Sequence, residues 1–288
     1  MDRAAGNPGL GLSLLVLGTG GPFVRPNRVS SGYVLYLDGV ARVLIDLGGG
    51  AFERLGRYGV DLSAIDSVLY THTHIDHTGG IAPAIFAMYM QERKRLIRFA
   101  GPMGRDQQPG CARFVDLLFG NEGAWAYMNS FEGFATQSQD LPSDPDRDDI
   151  TSVEAPEVRG LRAYSVAVPH GMMPAVGYRF EYAGKSLAFT GDISRTHAPF
   201  IRLAHGVDVL LHDLALPQRD VPHGHLHAKP LDIGTTAAEA ECAELVVTHF
   251  LPAIEDEIDD AVELIRTRYS GPVHIAREGE RLVPTRSS

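Results

Sequence analysis

At 288 residues, 44% of them hydrophobic and 22% charged, the chain has the composition of a soluble globular protein with a real core, which excludes the disordered and fibrous classes. Its formal charge of −10 opposes binding to polyanions such as nucleic acid unless basic residues cluster locally. No run approaches the ~20 apolar residues of a membrane span, and Cys111 and Cys242 form neither a CxxC metal pair nor a disulfide framework, so a cytoplasmic location is expected.

The apolar run from Leu10 to Leu17 lacks the basic flank of a signal peptide and reads as a strand, Leu12 to Gly18. Gly18 to Gly21 (GTGG) has neither the spacing nor the Lys of a phosphate loop and reads as a tight turn. Tyr33 to Gly50 holds two apolar stretches around Asp38-Gly39, a hairpin signal because both central turn positions need positive φ. After the strand SVLY, Ile81, Ile85, Met88 and Tyr89 fall at helical spacing and predict a helix between Gly79 and Leu96. Arg93, Lys94, Arg95 and Arg98 then read as its solvated end, with cations against the C-terminal dipole.

Residues 101–156 read as an insertion with a short helix around Ala112 to Phe119, the aromatics Trp125, Tyr127, Phe131 and Phe134, and an acidic end, LPSDPDRDDI. Those aromatics, with Met128 and Met88, suit a lid at the mouth of a site, or else packing of the insertion or a homodimer contact. Strands are expected at 161–168, 176–192, 207–214 and in ELVVTHF, and helices at Ile201 to His205 and Leu231 to Ala243. Two strand-rich halves, each followed by helices, predict an α/β fold of two packed sheets with helices outside.

The chemistry concentrates in THTHIDHTGG at 71–80, where His72, His74, Asp76 and His77 follow an apolar strand directly. Imidazole and carboxylate are the ligands zinc takes when sulfur is absent. One ion cannot comfortably use all four at this spacing, so two adjacent sites are implied. His170, Asp192 and His249 each terminate a later apolar strand, a recurrence that packing explains poorly.

With HxHxDH, Gly-Gly and a helix, then PHG, FTGD and THF in that order, nearly the whole chain resembles the metallo-β-lactamase superfamily. The resemblance implies an αββα sandwich of two mixed β-sheets, a single domain over 1–288. It also implies that His72, His74 and His170 hold one metal, that Asp76, His77 and His249 hold the other, and that Asp192 bridges them. The finer resemblance is to the ribonuclease Z and arylsulfatase-like branch, which has an acidic residue after the next strand and a His 22 positions before the final ligand. Asp213 and His227 occupy those places, although Asp213 stands where ribonuclease Z typically has Glu and the usual Ser-Thr after the His is missing.

Two Zn²⁺ ions are expected, with Mn²⁺ or Fe open to the same donors. They would supply a hydroxide at a pKa of ~7. Asp76, Asp213 and His227 are the residues expected to act in catalysis, with His227 as general acid held by Asp213, and Asp46 is expected to accept a proton from a ligating His. Beside His223 and His225, His227 reads almost as readily as part of an exposed histidine-rich loop. His212 reads as a hydrogen-bonded core histidine, and His197, His205 and His274 as surface or packed ones. Hydrolysis of a small-molecule ester (phosphodiester, sulfate ester or lactone) is expected, with no nucleic-acid or membrane partner. Transfer-RNA 3′ processing, redox chemistry at iron, and a metal-stabilised binding or sensor protein are the alternatives.

Overall fold

The computed structural model describes residues 11–155, 157–222 and 224–285, so His223 and Leu10 lie outside the described residues. The first half runs β1 (Leu12–Gly18), β2 (Gly32–Leu37), β3 (Val40–Leu47), α1 (Ala51–Arg57), β4 (Ser67–Leu69), α2 (Ile75–Thr78), α3 (Ile81–Met90), β5 (Ile97–Pro102), α4 (Cys111–Phe119) and β6 (Thr136–Leu141). The second runs β7 (Thr151–Ser152), β8 (Arg162–Ala167), β9 (Val176–Tyr182), β10 (Lys185–Phe189), α5 (Ala198–Ala204), β11 (Val209–Asp213), α6 (Pro230–Glu239), β12 (Glu244–Thr248), α7 (Ile258–Arg266), β13 (Val273–Ile275) and β14 (Arg281–Leu282).

Two seven-stranded sheets result, ordered β14-β1-β2-β3-β4-β5-β6 and β13-β12-β11-β10-β9-β8-β7. Their inner faces share a core that includes Leu14, Tyr33, Ile45, Tyr178 and Leu211. The alternate residues Leu15, Val34 and Leu44 face a second core under α3, and Leu210, Leu245 and Val247 face a third that includes Ile233 and Ile265 of α6 and α7. Strands buried on both faces explain the near-continuous apolar runs. The arrangement is the α/β sandwich expected, and no helix among the described residues is long and apolar enough to cross a membrane.

The Asp38-Gly39 turn has φ of 48° and 78° with Leu37 opposite Val40, so the hairpin forms as its sequence requires. Residues 101–156, expected as an insertion, supply α4 and one of the two edge strands of each sheet, β6 and β7. Three expectations need correction or narrowing. First, α3 ends at Met90, and the chain reverses at Glu92 (φ 61°) before entering β5.

Second, the basic cluster is solvated only in part: Lys94 and Arg95 are exposed, but Arg93 is buried. Arg93 is only 5% exposed because its guanidinium donates to the carbonyls of Ile65, Arg95 and Leu96. Arg95 pairs with Asp66, Arg98 with Glu157 and Lys94 with Glu132. Third, Met88 and Met128 are buried in the core beneath α3, with Phe131 and Phe134 packed against it, and Trp125 lies tilted beside Phe119 and Tyr127 edge-on to Phe131. Most of these residues thus pack with the segment, one of the readings open for them, while Trp125 and Tyr127 stay 37% and 54% exposed. α7 was not anticipated, although Ala261, Val262 and Ile265 make one buried stripe beside the outward Asp260 and Glu263.

Candidate metal centre

The parallel runs β3-β4-β5-β6 and β10-β11-β12-β13 leave their C-terminal ends on one edge of the sandwich, where functional loops collect in such sheets. Asp46, at the end of β3, takes a left-handed φ of 48°, which aspartate tolerates better than most residues. Its Oδ1 accepts the Thr71 amide (2.7 Å), and its Oδ2 accepts the Thr71 hydroxyl (3.0 Å) and His77 Nδ1–H (2.8 Å). Thus Asp46 fixes both the loop and the imidazole, which leaves His77 Nε2 as the nitrogen for a metal. Thr71 was not singled out in the sequence, and its place directly before His72 was the available signal.

The single turn α2 carries Asp76 and His77 inward. Gly48 makes this possible, because a Cβ there would lie 1.9 Å from the Asp76 carbonyl oxygen. His249 follows β12 with φ of 57°, another left-handed position at the site.

The structure brings all seven expected ligands together. Ligand atoms of His72, His74, His170 and Asp192 lie within 4.8 Å of one another, as do those of Asp76, His77 and His249. Asp192 faces both groups. Its Oδ2 lies 3.8 Å from His72 Nε2 and 3.7 Å from His170 Nε2, and its Oδ1 lies 3.5 Å from both His77 Nε2 and His249 Nε2. Asp76 Oδ2 is 3.6 Å from His77 Nε2 and 3.5 Å from His249 Nε2.

Such separations are long for hydrogen bonds. Two ligands each 2.0–2.1 Å from a tetrahedral ion stand about 3.3 Å apart, so they fit donors sharing a cation. Asp192 Oδ1 is a buried acceptor with no hydrogen-bond partner, and His77 Nε2 faces His249 Nε2 at 3.2 Å. The donor set therefore fits divalent metal on chemistry as well as spacing.

Electrostatics divides the histidines into two classes. Burial holds His72 well below and His74 below the usual imidazole range, and brings His170 down to about 4, so all three are ready neutral donors. Burial opposes protonation at His77 and His249 too, but Asp192, with Asp46 beside His77 and Asp76 beside His249, overcomes it and raises both. Burial likewise opposes ionisation of Asp76 and Asp192, and the neighbouring imidazoles outweigh it. Raised imidazoles carry protons that a metal must displace. Loading the metal-free protein near pH 7 should therefore release protons, read by calorimetry in buffers of different ionisation enthalpy. Uptake without release would show that His77 and His249 were already neutral.

Asp213 ends β11 on the same edge, and its Oδ2 accepts His227 Nδ1–H at 2.9 Å. Burial alone would raise the Asp213 carboxyl, but contacts with His212 and His227 bring it below its usual range. His227 is 8% exposed, so it is not part of an exposed loop, whereas His225 is exposed. It also groups with Asp192 and His249 as a further set able to hold a metal, a position the sequence did not suggest. His212 is fully buried with Nδ1 3.0 Å from Asp213 Oδ1, the core position expected of it. His197 is packed with Nε2 on the Pro145 carbonyl, and His274 pairs with Glu280. His170 Nδ1–H donates to the Leu226 carbonyl (3.0 Å), which aims its Nε2 at the cluster.

The cluster opens into a cavity of about 400 Å³ whose remaining walls are apolar, among them Phe23, Leu216, Leu226 and Leu251. Sequence reasoning missed these walls, since single apolar residues in loops carry no period.

Residues 41–250 match the family model described as the beta-lactamase superfamily domain. A ribonuclease Z of Mycobacterium bovis is 25% identical over 286 residues, covering 94% of this chain and 98% of that protein. The short form of human tRNase Z superposes with a TM-score of 0.74 at 21% identity, covering 95% of this chain and 100% of that one. A diphosphatase of the PhnP family gives a TM-score of 0.66 at 20% identity, covering 94% and 97%.

Proposed function

Starting from the fact that the chain belongs to the metallo-β-lactamase superfamily of hydrolases, we propose that it is a dinuclear zinc enzyme that hydrolyses small phosphodiesters. The observation that carries this reading is the Asp213–His227 pair set against the seven-ligand cluster. A protein that only bound metal would need the ligands but no oriented proton donor beside them. Relatives whose names denote phosphoester and diphosphate chemistry support phosphorus over sulfur or a carbonyl carbon.

His72, His74 and His170 would hold one ion and Asp76, His77 and His249 the other, with Asp192 offering one carboxylate oxygen to each. Bound there, the pair would supply Lewis-acid charge stabilisation and acidify water. In the net reaction a water oxygen bonds to phosphorus, the bond from phosphorus to the leaving oxygen breaks, and the leaving oxygen gains a proton. Asp213 holds Nδ1 of His227, so Nε2 faces the cavity and delivers that proton, to be replaced by one from the water. Asp46 keeps the His77 ring from turning, and the apolar walls exclude bulk water and strengthen each of these interactions.

Transfer-RNA processing is the second reading, favoured by the ribonuclease Z relative that covers 94% of the chain. Against it stands the formal charge of −10, since gripping folded RNA takes several cationic phosphate contacts. Metal analysis of the purified chain should give two equivalents. An aryl phosphodiester, an aryl sulfate, a lactone and a precursor transfer RNA should then be compared at near-physiological salt. Preferred turnover of the aryl phosphodiester is expected. Efficient site-specific RNA cleavage would overturn the small-molecule assignment, and no turnover of any substrate by metal-replete protein would leave a binding role.

A further inference from the structure

Two chambers meet at the metal ligand Asp76, separated by Pro22 and Phe23, which line both. One is the 400 Å³ apolar cavity already described, walled by Leu216, Pro222, Leu226, Leu251, Pro252 and Ala253, with His227 on its surface. The other, of about 540 Å³, takes in Arg25, Arg28, Val24, Ser30, Gly50 and Ile75, and His227 does not line it.

Arg28 is held rigidly. Its Nε donates to both carboxylate oxygens of Glu255 (3.0 and 3.2 Å), a terminal nitrogen donates to Thr19 Oγ1 (2.9 Å), and its guanidinium lies 4.4 Å over the Phe250 ring. Arg25 reaches the same carboxylate only at 3.9 Å. Two guanidiniums thus share the Glu255 carboxylate, in a chamber whose other charged wall is the Asp76 carboxylate of the cluster. The remaining Arg25 N–H groups have no acceptor among the described residues, and the fork they form matches a carboxylate or phosphate.

The candidate proton donor therefore lines one chamber and the candidate anion clamp the other, with Asp76 on the wall of both. We infer that the substrate is an amphiphilic phosphodiester, whose leaving alcohol is apolar and fills the Leu216 chamber and whose retained half carries a second negative charge that binds Arg25 and Arg28. This rests on the phosphodiesterase reading above. Departure on the His227 side places the protonated alcohol in an apolar chamber that suits a neutral product. The retained half, a monoester with its second anionic group, stays on the guanidinium side.

The test uses aryl phosphodiesters that share one leaving phenol and differ in the second arm: propyl, carboxylate-ended or phosphate-ended. In the metal-replete protein the charged arms should raise kcat/KM about tenfold over propyl, as a charge-assisted contact would. Arg25→Gln should remove most of that preference, and the two charged arms distinguish a carboxylate ligand from a phosphate. Non-hydrolysable phosphonate counterparts, titrated calorimetrically, should show the same ranking in Kd without turnover. A diester with the charge moved to a leaving phenol of equal acidity should react about tenfold more slowly than its counterpart. Turnover of the propyl diester with no arm preference, or a preference unchanged in Arg25→Gln, would overturn the inference and leave the phosphodiesterase reading intact. No turnover of any diester would overturn both.

Discussion

Replacing Asp192 with alanine is expected to lower turnover of an aryl phosphodiester about 10⁴-fold and to reduce bound metal from two equivalents to one or fewer. Its two oxygens face different groups of histidines, Oδ2 toward His72 and His170 and Oδ1 toward His77 and His249. Removing it would deprive both proposed ions of a ligand and leave five imidazoles with Asp76 as the one remaining carboxylate in the set. Metal catalysis supplies several kcal/mol of charge stabilisation, and a loss of roughly 5 kcal/mol at 1.36 per tenfold gives that factor. Metal content and kcat measured on the same sample, with a melting curve to confirm folding, check the result. Two ions retained with turnover near that of the unaltered protein would remove Asp192 from the bridging role.

His227→Ala should cost about 10²- to 10⁴-fold for esters of basic alcohols, the range general acids contribute, and far less for a nitrophenol that leaves without protonation. The geometry makes this experiment decisive between two roles, since His227 is held by Asp213 yet also lies within ligand distance of Asp192 and His249. A proton donor can be removed with both metals kept. Loss of metal in parallel with activity, uniform across the leaving-group series, would instead make His227 a ligand.

How much of this was legible in the sequence follows from which interactions are local. His72, His74, Asp76 and His77 stand within six residues, and His170, Asp192 and His249 each close an apolar strand. A site built at strand ends writes itself into the sequence as polar residues ending apolar runs. Asp46 was legible for the same reason. The fate of Arg93 was not, because its burial depends on carbonyls at Ile65 and Leu96 that no charge pattern announces. The aromatics at 125–134 looked like a lid because their chemistry suits a pocket mouth, and only the fold shows that they pack beneath and beside α3. Phe23, Arg25 and Leu251 lie in loops, where neither period nor motif marks a residue.

The pairing of β14 with β1, Leu282 opposite Leu14, bears on the order in which the molecule can assemble. During synthesis β1 leaves the ribosome long before its outer partner exists, so one edge of the first sheet stays uncovered until Arg281 and Leu282 have been made. The same delay governs the candidate metal centre. His72 and His74 emerge early, but Asp192 and His249 come only with the second sheet, so a cation captured by the nascent chain would lack its shared carboxylate. Closure through such distant contacts is intrinsically slow, and the cluster cannot be completed before His249 has been made.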